Sequence, residues 1–269
     1  MEKLSKPVIS LLTDFGLKDP FLGIMKGVIL NINPNVNIVD ITHEVESHNI
    51  LEGAMILGSA YPYFPKGTIF LTVVDPGVGS ERRPILAETN DYCFIAPDNG
   101  LLSNVYKDTA FKMVLEITSS QFFLNEVSDS FHGRDIFAPI ASWLSKGTDL
   151  SEFGHEIDDY IRISVPKPKS EHNRIKGEII YIDKFGNLIS NINQSLFEKA
   201  LSASSKRKVR VAIGPHEIHK ISRSYIEAKK DEASALFNSF GNLEIFALMK
   251  SASSLFDMEK GEEITVTFI

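Results

Sequence analysis

The chain has 269 residues, of which 43% are apolar and 23% charged, and its formal net charge is −7. That length and apolar fraction can bury one large core or two modest ones, which excludes a disordered or fibrous chain. The acidic balance argues against a nucleic-acid surface, since the basic run Lys206-Arg207-Lys208 reads as a solvated turn before a strand.

In chain order, "VISLLTD" (8–14) has the β-branched and apolar composition of a strand. "DPFLGIMKGVILNIN" (19–33) reads as a helix capped by Asp19 with Pro20 at its first position. "NIVDIT" (37–42) is strand again, "NILEGAMILGSAYPYF" (49–64) is helical, and "TIFLTVVD" (68–75) is the third strand. This βαβαβ order predicts a mostly parallel sheet with helices on its faces. Three more strands follow at "PILAET", "YCFIAPD" and "FKMVLEI", then a helix at 134–147 whose Pro139 ends or kinks its first turn.

Periodicity fades between about 148 and 173, and "SVPKPKSEHN" (164–173) has the composition of a linker. An α/β domain is therefore expected over 1–165 and a second domain over 173–269. In the second, "GEIIYID", "KVRVAIG", "EIHKISRSY", "LEIFALM" and "EITVTFI" read as short strands and "NQSLFEKALS" as a helix, the pattern of a small mostly-β, barrel-like fold.

The single cysteine, Cys93, sits in an apolar run, so it reads as core filler and no internal disulfide can form. No secretory leader is expected, because "MEKLSKPVISLL" is soon broken by Asp14 and Gly16, and no apolar stretch approaches the roughly 18 residues of a membrane span. The expected location is the cytoplasm, with no membrane partner.

Four polar clusters stand at strand ends or turns: Asp14 in "LLTDFG", Asp75, Arg82 and Arg83 in "VVDPGVGSERR", Asp98 and Asn99 in "APDNGLLS", and His132, Arg134 and Asp135 in "SFHGRDIFAP". Parallel strands deliver their carboxyl ends to one edge, so the first three clusters are expected to converge. Each also has a plain structural role open to it: Asp14 and Asp135 as caps, Asp98-Asn99-Gly100 as a tight turn, and Asp75 as the partner in an ion pair. His132, at a glycine turn opening a helix, can be oriented by its neighbours and still face a cleft.

His43, His48, His155, His172, His216 and His219 show no metal-binding spacing, so no metal is expected. There is no GxxxxGK[ST] loop, and "PGVGSE" lacks the glycine spacing of a dinucleotide fingerprint.

Taken together, "LLTDFGLKDPFLGIMKG", "VVDPGVGSERR", "APDNGLLS", "SFHGRDIFAP", "YIDKFGNLISNI" and "NSFGNLEIFALM" closely resemble the S-adenosyl-L-methionine hydroxide adenosyltransferase family, relatives of the fluorinases and chlorinases. The resemblance implies an N-terminal α/β domain joined to a C-terminal β-barrel, and homotrimers whose sites lie between subunits. It also implies a water-activating triad at Asp75, Arg82 and His132 and a ribose contact at Asp14. Asp183 would hold the methionine amino group, Asn187 would read adenine and Ser239 would contact the methionine carboxylate. Where halide-using relatives carry an arginine after that serine, this chain has Phe240.

The implied reaction is attack of water or hydroxide on the ribose 5′-carbon, giving adenosine and L-methionine with no cofactor. Attack on a sulfonium disperses charge, which a dry site favours. Two alternatives stand beside it: a halogenase with halide as nucleophile, and a non-catalytic sensor for adenosine or S-adenosylmethionine. A carboxylate at Asp75 repels halide and so favours water.

Overall fold

The computed structural model describes residues 6–109 and 111–269, and the chain divides into two compact units, Met1–Ser164 and Val165–Ile269. The first unit runs β1 (Val8–Thr13), α1 (Phe21–Ile32), β2 (Asn37–Thr42), α2 (Ile50–Ala60), β3 (Ile69–Val73), β4 (Pro84–Glu88), β5 (Cys93–Pro97), α3 (Ser103–Asp108), β6 (Met113–Ile117), α4 (Ala138–Ser145) and β7 (Gly154–Glu156). Its sheet has the order β2-β1-β3-β5-β4-β6-β7. The first four of these strands are mutually parallel, as the alternation of strands and helices requires, and β4, β6 and β7 add antiparallel pairings. β4 and β5 run antiparallel because only a tight turn joins them, with Thr89 Oγ1 accepting from the Asp91 and Tyr92 amides.

Every residue of β1 and β3 is buried, as expected of strands covered on both faces. Ile9 and Leu11 meet Met25 and Ile29 of α1 and Ile140 of α4 on one face. Leu12 and Phe70 meet Leu57 of α2 and Val105 of α3 on the other.

Two helix starts depart from expectation. Asp19 does not cap α1: Pro20 is already helical at φ −75°, no side chain caps the end, and the first helical bond runs from the Ile24 amide to the Pro20 carbonyl at 2.9 Å. The segment 134–147 is not one α-helix, because a wide π-helical turn, Gly133–Phe137, precedes α4. Pro139 has no N–H to offer the Asp135 carbonyl one turn back. That carbonyl instead accepts from the Leu124 amide at 2.9 Å, which ties the loop before His132 to the helix.

The second unit contains β8 (Lys169–Glu171), β9 (Arg174–Ile182), β10 (Leu188–Asn193), α5 (Gln194–Ala203), β11 (Val209–Ile213), β12 (His216–Ile218), β13 (Ser234–Phe237), β14 (Asn242–Phe246) and β15 (Glu263–Phe268). The strands follow the order β12-β11-β15-β9-β10-β14-β13, all antiparallel, with β8 pairing β9. A bridge between Ile221 and Ala235 brings the two ends together, so the sheet is a nearly closed barrel around Ile175, Leu188, Val211, Ile245 and Val266. The stretch read as linker thus supplies a strand at 169–171, and the strand expected over "EIHKISRSY" is only three residues long.

Candidate active site

Parallel register fixes the edge at which the first three clusters meet. Thr13 of β1 lies opposite Val73 of β3, and Leu71 of β3 opposite Ile95 of β5, so Asp14, Asp75 and Asp98 all emerge at the carboxyl ends of adjacent strands. Asn99 ties two of these ends together, its Nδ2 donating to the Val74 carbonyl at 2.8 Å while its Oδ1 accepts from the Leu101 amide.

Beyond Val74 the chain doubles back through Pro76-Gly77-Val78-Gly79, which returns Arg82 to Asp75. Arg82 Nε donates to both carboxylate oxygens at 2.9 Å, and Nη2 donates to Oδ2. Nη2 also donates to His132 Nδ1 at 2.9 Å, joining a residue 50 positions away. Both members of the ion pair are shielded, with side chains 5% exposed at Asp75 and 8% at Arg82. The guanidinium lies over the Phe137 ring, 5.1 Å from its centroid, and its Nη1 is buried without a protein partner. The sequence-predicted triad is therefore brought together.

His132 ends the loop that precedes the π-helical turn. Asp135, fully buried, accepts from the Ser128 amide at 2.9 Å, from the Ser128 hydroxyl at 2.7 Å and from Arg134 Nε at 2.5 Å. Burial alone would raise the Asp135 pKa, but these bonds hold it below the usual carboxylate value. Asp135 and Arg134 thus shape the loop, whereas His132 faces an apolar cavity of about 120 Å³ shared with Phe15, Phe21, Val73, Asp75, Val78 and Phe131. Burial and the Arg82 guanidinium lower the His132 pKa, against the opposing pull of Asp75.

Gly79 brings the two loops together. Its φ of +78° is one that L side chains rarely adopt, and a Cβ there would lie 2.3 Å from the Asp129 carbonyl oxygen.

The neighbouring arginine has a different task. Arg83 donates to Asp98 Oδ2 through Nε at 3.0 Å and Nη2 at 2.7 Å, and to Asp159 Oδ1 at 2.6 Å, while Asp98 Oδ1 accepts from the Ile161 amide at 2.7 Å. Asp98 and Arg83 are a brace fastening residues 159–161 to the sheet. Asp98→Ala should lower the unfolding free energy by about 3 kcal/mol, because it leaves the Arg83 guanidinium only the exposed Asp159 and takes the acceptor from the Ile161 amide. Urea denaturation followed through the single tryptophan, Trp143, would measure it.

Asp14 stands at the same edge, its Oδ2 accepting from the His48 amide at 2.9 Å. His48 takes a left-handed φ of 68°, so strained backbone serves to hold that carboxylate.

In the second unit, the five-residue turn Asp183–Asn187 organises itself. Asp183 Oδ1 accepts from the Phe185 and Asn187 amides at 2.9 Å, and its Oδ2 accepts from Asn187 Nδ2 at 3.0 Å. Gly186, at φ +82°, lets the turn press against Ser251. Asp183 and Asn187 line a cavity of about 580 Å³ with Phe185, Tyr225, Met249 and Ser251. Ser239 lies elsewhere, exposed on the turn between β13 and β14 and apart from the residues lining that cavity. Tyr225 escaped sequence reasoning because "EIHKISRSY" reads as an alternating strand, in which a tyrosine carries no signal of its own.

Among the described residues no group of three or more His, Cys, Asp or Glu side chains could hold a metal ion. No helix among them is long and apolar enough to cross a membrane.

Comparison with known proteins places these features in a family. Residues 9–154 match the SAM hydroxide adenosyltransferase N-terminal domain and residues 177–265 its C-terminal domain. An (R)-S-adenosyl-L-methionine hydrolase from Methanocaldococcus jannaschii is 35% identical over 97% of this chain and 96% of its own. A fluorinase from Nocardia brasiliensis is 27% identical over 93% of this chain and 92% of its own. The crystal structure of an uncharacterized conserved protein from Thermotoga maritima superposes with a TM-score of 0.89 at 37% identity, covering 96% of this chain and 99% of that one.

Proposed function

Because the chain belongs to the SAM hydroxide adenosyltransferase family, we propose that it hydrolyses S-adenosyl-L-methionine to adenosine and L-methionine, with water displacing methionine from the ribose 5′-carbon. The observation that carries this is the Asp75–Arg82–His132 constellation at an apolar cavity, with one guanidinium nitrogen buried and unclaimed by the protein. The hydrolase relatives are named for the (R) form of the substrate, and we assign the same sulfonium configuration here.

The hydrogen bonds divide the labour. An arginine can only donate, so His132 Nδ1 must accept from it, and the neutral imidazole then carries its proton on Nε2. Of the three side chains, Asp75 is left as the acceptor for the water proton, while Arg82 and His132 orient the oxygen by donating to it. Apolar walls from Phe15, Phe21 and Phe131 limit competing solvent and favour displacement at a sulfonium. Asp14 is the ribose contact in this scheme, Asp183 takes the amino group, Asn187 the adenine and Ser239 the carboxylate. With Phe240 in place of an arginine, that carboxylate meets serine and backbone donors.

The direct test is a product assay: incubation with each sulfonium epimer in ¹⁸O-labelled water, with and without chloride. Hydrolysis predicts adenosine labelled at the 5′-oxygen plus methionine, from the (R) epimer. A chlorinated nucleoside would instead mark a halogenase, and bound but intact substrate a sensor.

The rate should respond to acid in a defined sense. His132 is neutral above its lowered pKa, and protonating Nδ1 as pH falls sets an imidazolium against Arg82. We expect kcat/KM to be flat through neutral pH and to fall with unit slope below a midpoint under 6.5, the ordinary histidine value. A pH–rate profile locates the midpoint, and its disappearance in His132→Gln would assign it.

The water-handling residues lie in the first unit and the adenine and amino-acid contacts in the second, and we propose a homotrimer that joins them across subunits. Mixing His132→Ala with Asn187→Ala subunits should then restore part of the activity once subunits exchange. No rescue in mixed trimers verified by mass would count against composite sites. A cytoplasmic location accords with the lone thiol, Cys93, which burial pushes up to about 12 and so out of redox chemistry.

A further inference from the structure

The second unit holds a carboxyl group for which the chemistry above has no use. Glu244, in the middle of β14, is 2% exposed, and burial raises its pKa. Burying a carboxylate is expensive unless it is compensated, and the hydrogen-bond partner of this one is neutral. The Tyr225 hydroxyl donates to Oε1 at 2.9 Å, and the neighbouring Asn238 side chain partly offsets the effect of burial on the carboxyl.

Both side chains lead to the ligand residues. Tyr225 is 48% exposed, and a tyrosine so placed normally turns its hydroxyl to water. Here the hydroxyl points inward and the ring is held edge-on to Phe246, with centroids 4.9 Å apart, so that it walls the cavity lined by Asp183 and Asn187. Burial and the bond to Glu244 push the Tyr225 pKa up to about 12, which keeps the hydroxyl a donor. Asn238, through Oδ1, accepts from the Phe240 amide at 3.0 Å and the Asn242 amide at 3.1 Å, which folds the turn that presents Ser239.

We propose that Glu244 is a positioning residue for ligand binding: by accepting from Tyr225, it fixes the cavity wall, beside the Asn238 side chain that folds the Ser239 turn. It touches neither ligand nor reacting atoms. The role deepens the hydrolase assignment and rests on it for the identity of the ligand.

The test combines steady-state hydrolysis with calorimetric titration of adenosine into the intact protein. Glu244→Leu should raise KM and the adenosine Kd about tenfold or more while kcat stays within about threefold. Glu244→Gln, whose amide oxygen still accepts from Tyr225, should restore both to within about threefold of wild type. Tyr225→Phe should weaken binding alone, and combining it with Glu244→Leu should cost less than the product of the single effects, because both partners of the bond are then gone. Wild-type KM and Kd in Glu244→Leu would overturn the proposal, even if the melting temperature fell. So would a loss confined to kcat. Should that variant fail to fold, unchanged binding in Tyr225→Phe would overturn it equally. If the wild-type protein binds adenosine but hydrolyses nothing, the hydrolase assignment fails while the Kd series still decides the role of Glu244. If it does neither, both fall.

Discussion

Asp75→Asn should lower kcat by about a hundredfold with KM changed less than threefold. The asparagine oxygen can still take one bond from Arg82, but the amide nitrogen faces a donor, and no oxygen is left with the basicity to receive the water proton. General acid–base participation contributes about 10²- to 10⁴-fold, and the lower end, about 2.7 kcal/mol of transition-state stabilisation, is the minimum expected. Breaking a shielded ion pair also destabilises the fold, by about 3 kcal/mol, so the melting temperature should drop too. Assaying well below the new melting temperature separates the two effects. Undiminished kcat in folded protein would reduce Asp75 to a strut for Arg82 and return the proton to His132.

The second large effect is expected at a residue with no side chain. Gly79→Ala places a Cβ 2.3 Å from the Asp129 carbonyl oxygen at a φ of +78°. Left-handed backbone costs a non-glycine residue about 1–2 kcal/mol, and the overlap with backbone adds about 1–3 kcal/mol, since no flexible side chain can yield. The loops must part to relieve it, and parting them pulls Arg82 from His132. We expect kcat to fall at least tenfold and unfolding, read from Trp143 fluorescence, to shift by about 3 kcal/mol. A stable, fully active Gly79→Ala enzyme would mean that the 2.9 Å contact between Arg82 and His132 does not govern the rate.

Much of this arrangement could be read from residue types. Apolar and β-branched runs located β1, β2 and β3, and the rule for parallel strands brought Asp14, Asp75 and Asp98 to one edge. What pattern cannot convey is which of two adjacent arginines turns inward. Arg82 and Arg83 differ only in the partners that folding supplies, Asp75 and His132 for one, Asp98 and Asp159 for the other. β10 escaped notice because Ser190 and Asn191 interrupt its apolar run, although both are buried and satisfied, Ser190 by the Leu243 carbonyl at 2.7 Å and Asn191 by the Glu178 amide at 3.0 Å. Glu244 escaped for the complementary reason, since "LEIFALM" reads as an ordinary alternating strand with its glutamate toward solvent. The π-helical turn needed tertiary knowledge as well: Pro139 marks a missing donor, but that the Leu124 amide answers the orphaned carbonyl depends on a contact no local rule anticipates.

The two units keep separate cores, one set around Leu11, Leu71 and Phe137 with its companion around Phe70 and Phe94, the other around Val211, Ile245 and Val266. With the site residues proposed above, the choice of nucleophile would be written in one hydrophobic environment and the reading of the base and amino-acid tail in another, so either could be revised without repacking its counterpart. Laboratory evolution toward a different attacking group should accumulate its changes between residues 73 and 133, whereas selection for an altered base or amino-acid tail should fall in the barrel, around the turn that Asp183 ties to Asn187.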